Sequence, residues 1–300
     1  MGEAQIVTIG DLFLDTVVDL ATATPTTRFT ELTASSNCFS GWRRQASGSA
    51  LQVARAALAA GFARATCVGA LGSPGGEPDA AAREIASYAL DWGVTLAVAY
   101  VPDATGEALV VYDANGTRLM ISNRGANALL NPRLLAPAMH DAVRTATAVH
   151  ISGYTLLQPA RWRAVRALLH TARAGDALVA LDLAPHNLHR LMRKAEVLEQ
   201  IIDIDCLMVE APLLRRLAAP REVPPDAPTD VPFDASIDEA ILWGASRFPL
   251  LVVQMTPDEA AIIRDGRVVD RRRFAYESGA GSRGQSGAVQ AELLAEMTSR

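Results

Sequence analysis

Val149-His150-Ile151-Ser152, an apolar stripe at helical spacing from Pro159 to Ala174, and a second apolar run from Ala177 to Leu183 spell strand, helix and strand in succession. Two strands joined through a helix lie parallel, because the helix carries the chain back to the same end of the sheet. The alternation extends in both directions. Upstream, Ile6-Val7-Thr8-Ile9-Gly10 is a short β-rich run. Ala50, Val53, Ala54, Ala57 and Leu58 recur at helical spacing from Gly48 and stop at Gly61. Thr66 to Gly72 is the next strand, and about Ala80 to Leu90 the next helix. Downstream, Cys206-Leu207-Met208-Val209 and Leu250-Leu251-Val252-Val253 are two more strands. The pattern predicts an α/β fold with a central, mostly parallel sheet flanked by helices on both faces.

Two segments break the alternation. Leu109 to Ile121 is a β-hairpin signal with Asn115-Gly116 in its turn, and Asp15-Thr16-Val17-Val18-Asp19 is a second short β run. Together they predict a small accessory sheet with strands from about 12–20 and 105–123. Residues 220–234, dense in proline and acid, read as a surface loop, and Ala21 to Arg44 as a weaker one. The whole chain, 1–300, reads as a single domain.

At 300 residues, 50% of them apolar, the chain buries a large core. A net charge of −5 argues against a general nucleic-acid binder and favours small neutral or weakly charged ligands. Nothing approaches the roughly 18 apolar residues of a membrane span. Met1 to Gln5 pass directly into a strand, without a targeting segment. Cys38, Cys67 and Cys206 lie far apart, without the spacing of a zinc site or disulfide framework, which points to a reducing cytoplasm.

Chemistry concentrates at two places. Asp11 and Asp15 follow the first strand, where an open α/β sheet places ligand-binding groups. Ser278-Gly279-Ala280-Gly281-Ser282 sets small residues at the start of a helical pattern, where bare N–H groups cradle an anion. A tight turn without an anion is the plainer reading of the same residues.

The order of motifs resembles the ribokinase-like sugar kinases, the PfkB family. Gly10-Asp11 with Asp15, Gly48-Ser49-Ala50-Leu51-Gln52-Val53-Ala54, Val68-Gly69-Ala70-Leu71-Gly72, Thr105-Gly106-Glu107-Ala108, Arg124-Gly125-Ala126-Asn127-Ala128 and the terminal Gly-Ala-Gly turn occur in the family's sequence. The resemblance implies a β-sheet lid over a sugar or nucleoside, a possible homodimer through that lid, and ATP with Mg²⁺ as cosubstrate and metal. It implies substrate contacts from Asp11, Asp15, Gly48, Ser49, Gln52 and Asn127, and an anion hole at Gly279, Ala280 and Gly281. Asn127 reads equally as a turn residue, and Gly48 with Ser49 as a helix start capped by Ser47.

The nucleotide side departs from the family. The family's catalytic Asp is Ser282 here, and its upstream Asp is Tyr276. The segment that approaches the nucleotide becomes Gln254-Met255-Thr256-Pro257-Asp258-Glu259, without its glycines and with two acids near the triphosphate's place. Of the motif tied to magnesium only Glu210 remains, and the chain stops before the last helices that wall the adenine pocket in family members. A serine hydroxyl does not take a proton near neutral pH, and loss of a positioned base costs about 10²–10⁴-fold. The expectation is therefore a ribokinase-like protein whose sugar site outlives its ATP site, with phosphoryl transfer impaired or lost. The alternatives are a non-catalytic pseudokinase that binds a small ligand, and a structural partner acting through the hairpin sheet. His186 with His189 reads as loop rather than metal site, Arg271-Arg272-Arg273 as a solvated strand edge, and Trp42 as a loop anchor.

Overall fold

The computed structural model describes residues 3–20, 28–31, 41–183, 188–220, 235–256, 258–274 and 285–298. A central sheet is built from Gln5–Ile9 (β1), Arg64–Gly72 (β4), Thr95–Val101 (β5), Ala148–Ser152 (β8), Leu178–Asp182 (β9), Cys206–Glu210 (β10), Leu250–Thr256 (β11), Glu259–Arg264 (β12) and Arg267–Arg273 (β13). A small sheet takes Phe13–Asp19 (β2), Trp42–Ser47 (β3), Gly106–Tyr112 (β6) and Arg118–Asn123 (β7). The helices are Ser49–Ala59 (α1), Ala80–Asp91 (α2), Pro137–Arg144 (α3), Pro159–Arg173 (α4), Leu188–Leu191 (α5), Lys194–Gln200 (α6), Ala211–Ala218 (α7), Ile237–Ala245 (α8) and Gln285–Thr298 (α9).

The central order is β13-β12-β11-β10-β9-β8-β1-β4-β5, parallel from β11 to β5, with β12 and β13 added antiparallel at one edge. The inner strands read as unbroken apolar runs because both faces are covered. With a side-chain period of two, Ile6, Cys67, Ala148 and Cys206 pack against α1 and α9. Val7, Ile9, Val149 and Ile151 face the other way, onto Met139 and Val143 of α3 and Val165 and Leu168 of α4. The three arginines of β13 lie on the edge strand of the sheet, as their charge requires.

The small sheet has the order β3-β2-β6-β7 and its own core of Val17, Ala108, Val110 and Tyr112. Its hairpin turn is held by the Asp113 carboxylate, which accepts from the backbone N–H of Asn115 and Thr117, with Gly116 at φ 74°. One strand departs from the sequence expectation. The loop predicted through Arg44 gives way at Trp42 to β3, a polar edge strand that pairs antiparallel with β2. Trp42-Arg43-Arg44-Gln45 lacks apolar alternation, so only the pairing with β2 makes it a strand. Trp42 is 69% exposed on β3, not the partly buried loop anchor expected. Ser47 belongs to β3 and does not cap α1, whose cap position is Gly48, without a side-chain cap. His186 and the side chain of His189 lie outside the described residues. Among those described, no helix is long and apolar enough to cross a membrane.

His150 of β8 is completely buried in the layer beneath α9, beside Thr8 of β1. Burial pushes its imidazole from 6.5 down to about 4, against a smaller opposing pull from Gln290 of α9. Between those two values the unfolded chain binds a proton that the folded chain refuses, so stability falls as pH drops through this window. The shift corresponds to about 3 kcal/mol. Urea unfolding of His150→Gln at pH 7 and pH 4.5 should show a smaller acid loss than the native chain; equal losses would remove His150 as the cause.

Candidate functional site

The strand order turns back on itself between β1 and β8: from β1 the chain moves to β4 and β5, then returns to β8 on the other side. At such a switch point the loops after the two strands diverge and leave a crevice at their carboxyl ends. Asp11 lies just beyond β1, Ser152 closes β8, and the small sheet is tethered directly above because only three residues separate Ile9 from the start of β2.

The crossing Gly10-Asp11-Leu12 is clamped from every side. Asn127, 1% exposed, donates from Nδ2 to the Leu12 carbonyl at 2.7 Å and accepts the Leu12 N–H on Oδ1 at 2.9 Å. Gly48, at φ 105°, brings its backbone so close that a Cβ would sit 2.0 Å from the Asp11 carbonyl oxygen. The Ser49 hydroxyl donates to Ser152 Oγ at 2.5 Å, joining α1 to β8 across Gly10. Gln52 donates to the Ala46 carbonyl at 3.0 Å and ties α1 to the small sheet. The entry to β6 is fixed by Thr105, whose N–H and hydroxyl both donate to Asp79 at 2.7 Å while its Oγ1 accepts the Gly72 N–H.

The Asp11 carboxylate is buried between two guanidinium groups. Arg124, just after β7, donates to Oδ2 at 3.0 Å and to the Tyr154 carbonyl at 3.1 Å. Arg161, in the first turn of α4 and 1% exposed, pairs with Oδ1. Tyr154, in the short turn after β8, has its phenol pushed up by burial, with Arg118, Asp182, Asp11 and Arg124 as its charged neighbours. It remains a neutral donor. Asp182 ends β9 as the register partner of Ser152. Asp15, on β2, is buried and engaged within the protein.

Of the residues predicted from sequence, Asp11, Ser49, Gly48 and Asn127 converge on this crossing, and Gln52 lies one turn further along α1. The sequence reading missed Arg161 and Tyr154 and gave Arg124 no role. Arg161 carried a signal: it interrupts the apolar stripe of Trp162, Val165, Leu168 and Ala172, all buried. Its partner stands 150 residues earlier, which no local pattern reveals.

The nucleotide candidates lie further along the sheet. Glu210 of β10 and Gln254 of β11 are register partners at the same carboxyl end. Thr256 ends β11, and its hydroxyl donates to Asp258 at 2.7 Å, holding that carboxyl below the usual range. Of the two acids expected there, Glu259 turns away onto Arg271 of β13 at 3.3 Å, so only Asp258 is left at the strand end. Among the described residues no group of three or more metal-ligating side chains gathers. Glu210 fits a magnesium ion as a single carboxylate, since that ion takes one or two protein oxygens and completes its shell with phosphate and water. Gly279, Ala280, Gly281 and Ser282, with Tyr276, lie outside the described residues.

A sequence model described as pfkB family carbohydrate kinase matches residues 8–209. No curated protein sequence matches significantly. Among solved structures, adenosine kinase from Sinorhizobium meliloti is similar over 100% of this chain and 89% of its own, with a TM-score of 0.75 at 17% identity. Fructokinase from Xylella fastidiosa follows over 99% and 83%, with a TM-score of 0.73 at 17% identity. Ribokinase from Arabidopsis thaliana, complexed with ribose and ATP, is similar over 99% and 86%, with a TM-score of 0.67 at 19% identity. These likenesses establish the shared α/β fold.

Replacing Asn127 by Leu would strand the buried N–H and carbonyl of Leu12. At about 1–3 kcal/mol for each orphaned group, urea unfolding should register a loss of about 2–6 kcal/mol. A variant as stable as the parent would show that the clamp holds nothing.

Proposed function

The chain belongs to the pfkB family of carbohydrate kinases, and on that premise we propose that it takes a sugar- or nucleoside-type ligand into the β1/β8 crevice under the lid, while ATP-dependent transfer of a phosphoryl group to a ligand hydroxyl is impaired. The observation that carries this reading is the carboxylate of Asp258, kept ionised by the Thr256 hydroxyl at the end of β11. It stands between Thr256 and Glu259, the two positions where the family's nucleotide segment has glycine, and its charge opposes that of a triphosphate. Ser282 adds to the deficit, because it replaces the base that would deprotonate the acceptor hydroxyl.

The crevice residues keep their purpose on this reading. Gly48 and Ser49 present backbone and hydroxyl to the ligand, and Asn127 and Gln52 position the lid instead of touching what it covers. Where ATP does bind, Glu210 would supply one oxygen to Mg²⁺, Gln254 and Thr256 would border the nucleotide, and the amides of Gly279, Ala280 and Gly281 would face the transferring phosphoryl group. The metal would supply charge neutralisation on the phosphates. The non-catalytic alternative, a ligand-responsive binding protein, is favoured by the same Asp258.

Turnover of ATP across a sugar and nucleoside panel separates the two. The impaired kinase predicts slow product formation, raised about 10²–10⁴-fold by Ser282→Asp. Silence that Ser282→Asp does not lift, together with stabilisation by a sugar or nucleoside alone, selects the binding protein. Fast turnover by the native chain, or tight ATP binding in calorimetry, defeats the proposed impairment.

We also propose a homodimer through the lid. Register places Trp42, Leu109, Leu119 and Ile121 on one face of the small sheet, and each is at least 40% exposed. An apolar face of this kind needs covering, and a second copy meets it with the same chemistry. Light scattering should report a dimer that Ile121→Lys converts to monomer. A monomeric native chain would refute it.

A further inference from the structure

The charge at the crevice points to a feature of the ligand itself, on the reading that this crevice is the ligand site. We propose that Arg124 is an anion-binding residue and that the ligand carries a phosphate or carboxylate substituent. In a site for a neutral sugar, a carboxylate such as Asp11 would accept hydroxyl protons. Here each of its oxygens faces a guanidinium group, Oδ2 that of Arg124 and Oδ1 that of Arg161, so its charge is matched within the protein. Arg161 neutralises Asp11 from beneath, at 1% exposure, which leaves the charge of Arg124 without a full counterpart. Arg124 is the member of the trio that a ligand can reach, its side chain being 24% exposed against 5% for Asp11.

The pairing is uneven at the carboxylate itself: two guanidinium groups, Arg124 and Arg161, face the single Asp11 side chain. Packing gives no reason for Arg161: its stripe is otherwise apolar, and a buried ion pair replaced by apolar side chains is often no less stable.

This anion is not the triphosphate. Three strand spacings separate β1 from β10, about 14 Å, and the nucleotide candidates lie at β10 and β11. Guanidinium groups read phosphate and carboxylate alike, as planar or tetrahedral oxyanions that accept paired N–H donors.

Calorimetry on the full chain at fixed ionic strength tests the assignment, with ribose against ribose 5-phosphate, glucose against gluconate, and inorganic phosphate as the bare anion. The proposal expects at least one anionic sugar to bind about 10-fold more tightly than its neutral partner, a preference that salt weakens. The phosphate arm and the carboxylate arm identify the source. Arg124→Gln should bring the ratio to near one, as should Arg161→Met, where Asp11 then cancels Arg124; circular dichroism establishes that each variant is folded. A neutral sugar bound as tightly as its anionic partner, or a preference that survives Arg124→Gln, overturns the inference and leaves the ligand reading standing. Binding of no sugar or nucleoside at all defeats that reading as well.

Discussion

Gly10, Asp11 and Leu12 carry the chain out of the central sheet and into the small one, and the rest of the site is built against them. Leu12 has its backbone amide and carbonyl both held by Asn127. Gly48, Gly69 and Gly106 each approach this tripeptide or its immediate contacts more closely than a Cβ would permit. Asp11 is held by arginines from two further elements. A parallel sheet with a strand-order reversal supplies the crevice, and this short crossing decides what lines it.

Electrostatics then divide the site. At β1 and β8 a buried carboxylate is outnumbered by guanidinium groups, and a charged substituent would complete the arrangement. At β11 the opposite holds: Asp258 is ionised and solvent-facing, with Glu259 withdrawn onto β13. Phosphoryl transfer needs positive charge and bare amide donors around the nucleotide, because stabilising a spread negative charge is most of the protein's task. Among the described residues, guanidinium groups gather at the β1/β8 end, and the end of β11 carries the Asp258 carboxylate. A net charge of −5 gives no hint of that local inversion, since whole-chain charge averages over faces that do not see one another.

Legibility in the sequence followed the range of each interaction. The strands and helices of the central layer were visible because burial on both faces imposes apolar runs, and amphipathic helices repeat at their own period. The hairpin from Gly106 to Asn123 was visible for a similar reason, with Asn115-Gly116 marking its turn. Strand β3 was not: its residues are charged or polar, and its conformation comes from hydrogen bonds to β2, nearly thirty residues before it in the chain. Asn127 was equally ambiguous. Its amide could have served a ligand or a turn, and contact with a backbone 115 residues away decides for the clamp.

By itself the sequence determined the layered α/β architecture, the small accessory sheet and the strand end after which Asp11 stands, because each is written in local periodicity, turn residues or the end of a strand. Tertiary structure alone decided the state of that chemistry. Asp11 reads as a free acceptor in the sequence and is the counter-ion of two arginines in the fold. Its partners Arg124 and Arg161 come from after the small sheet and from the first turn of α4, and charge pairing between distant segments exists only once the chain has brought them together.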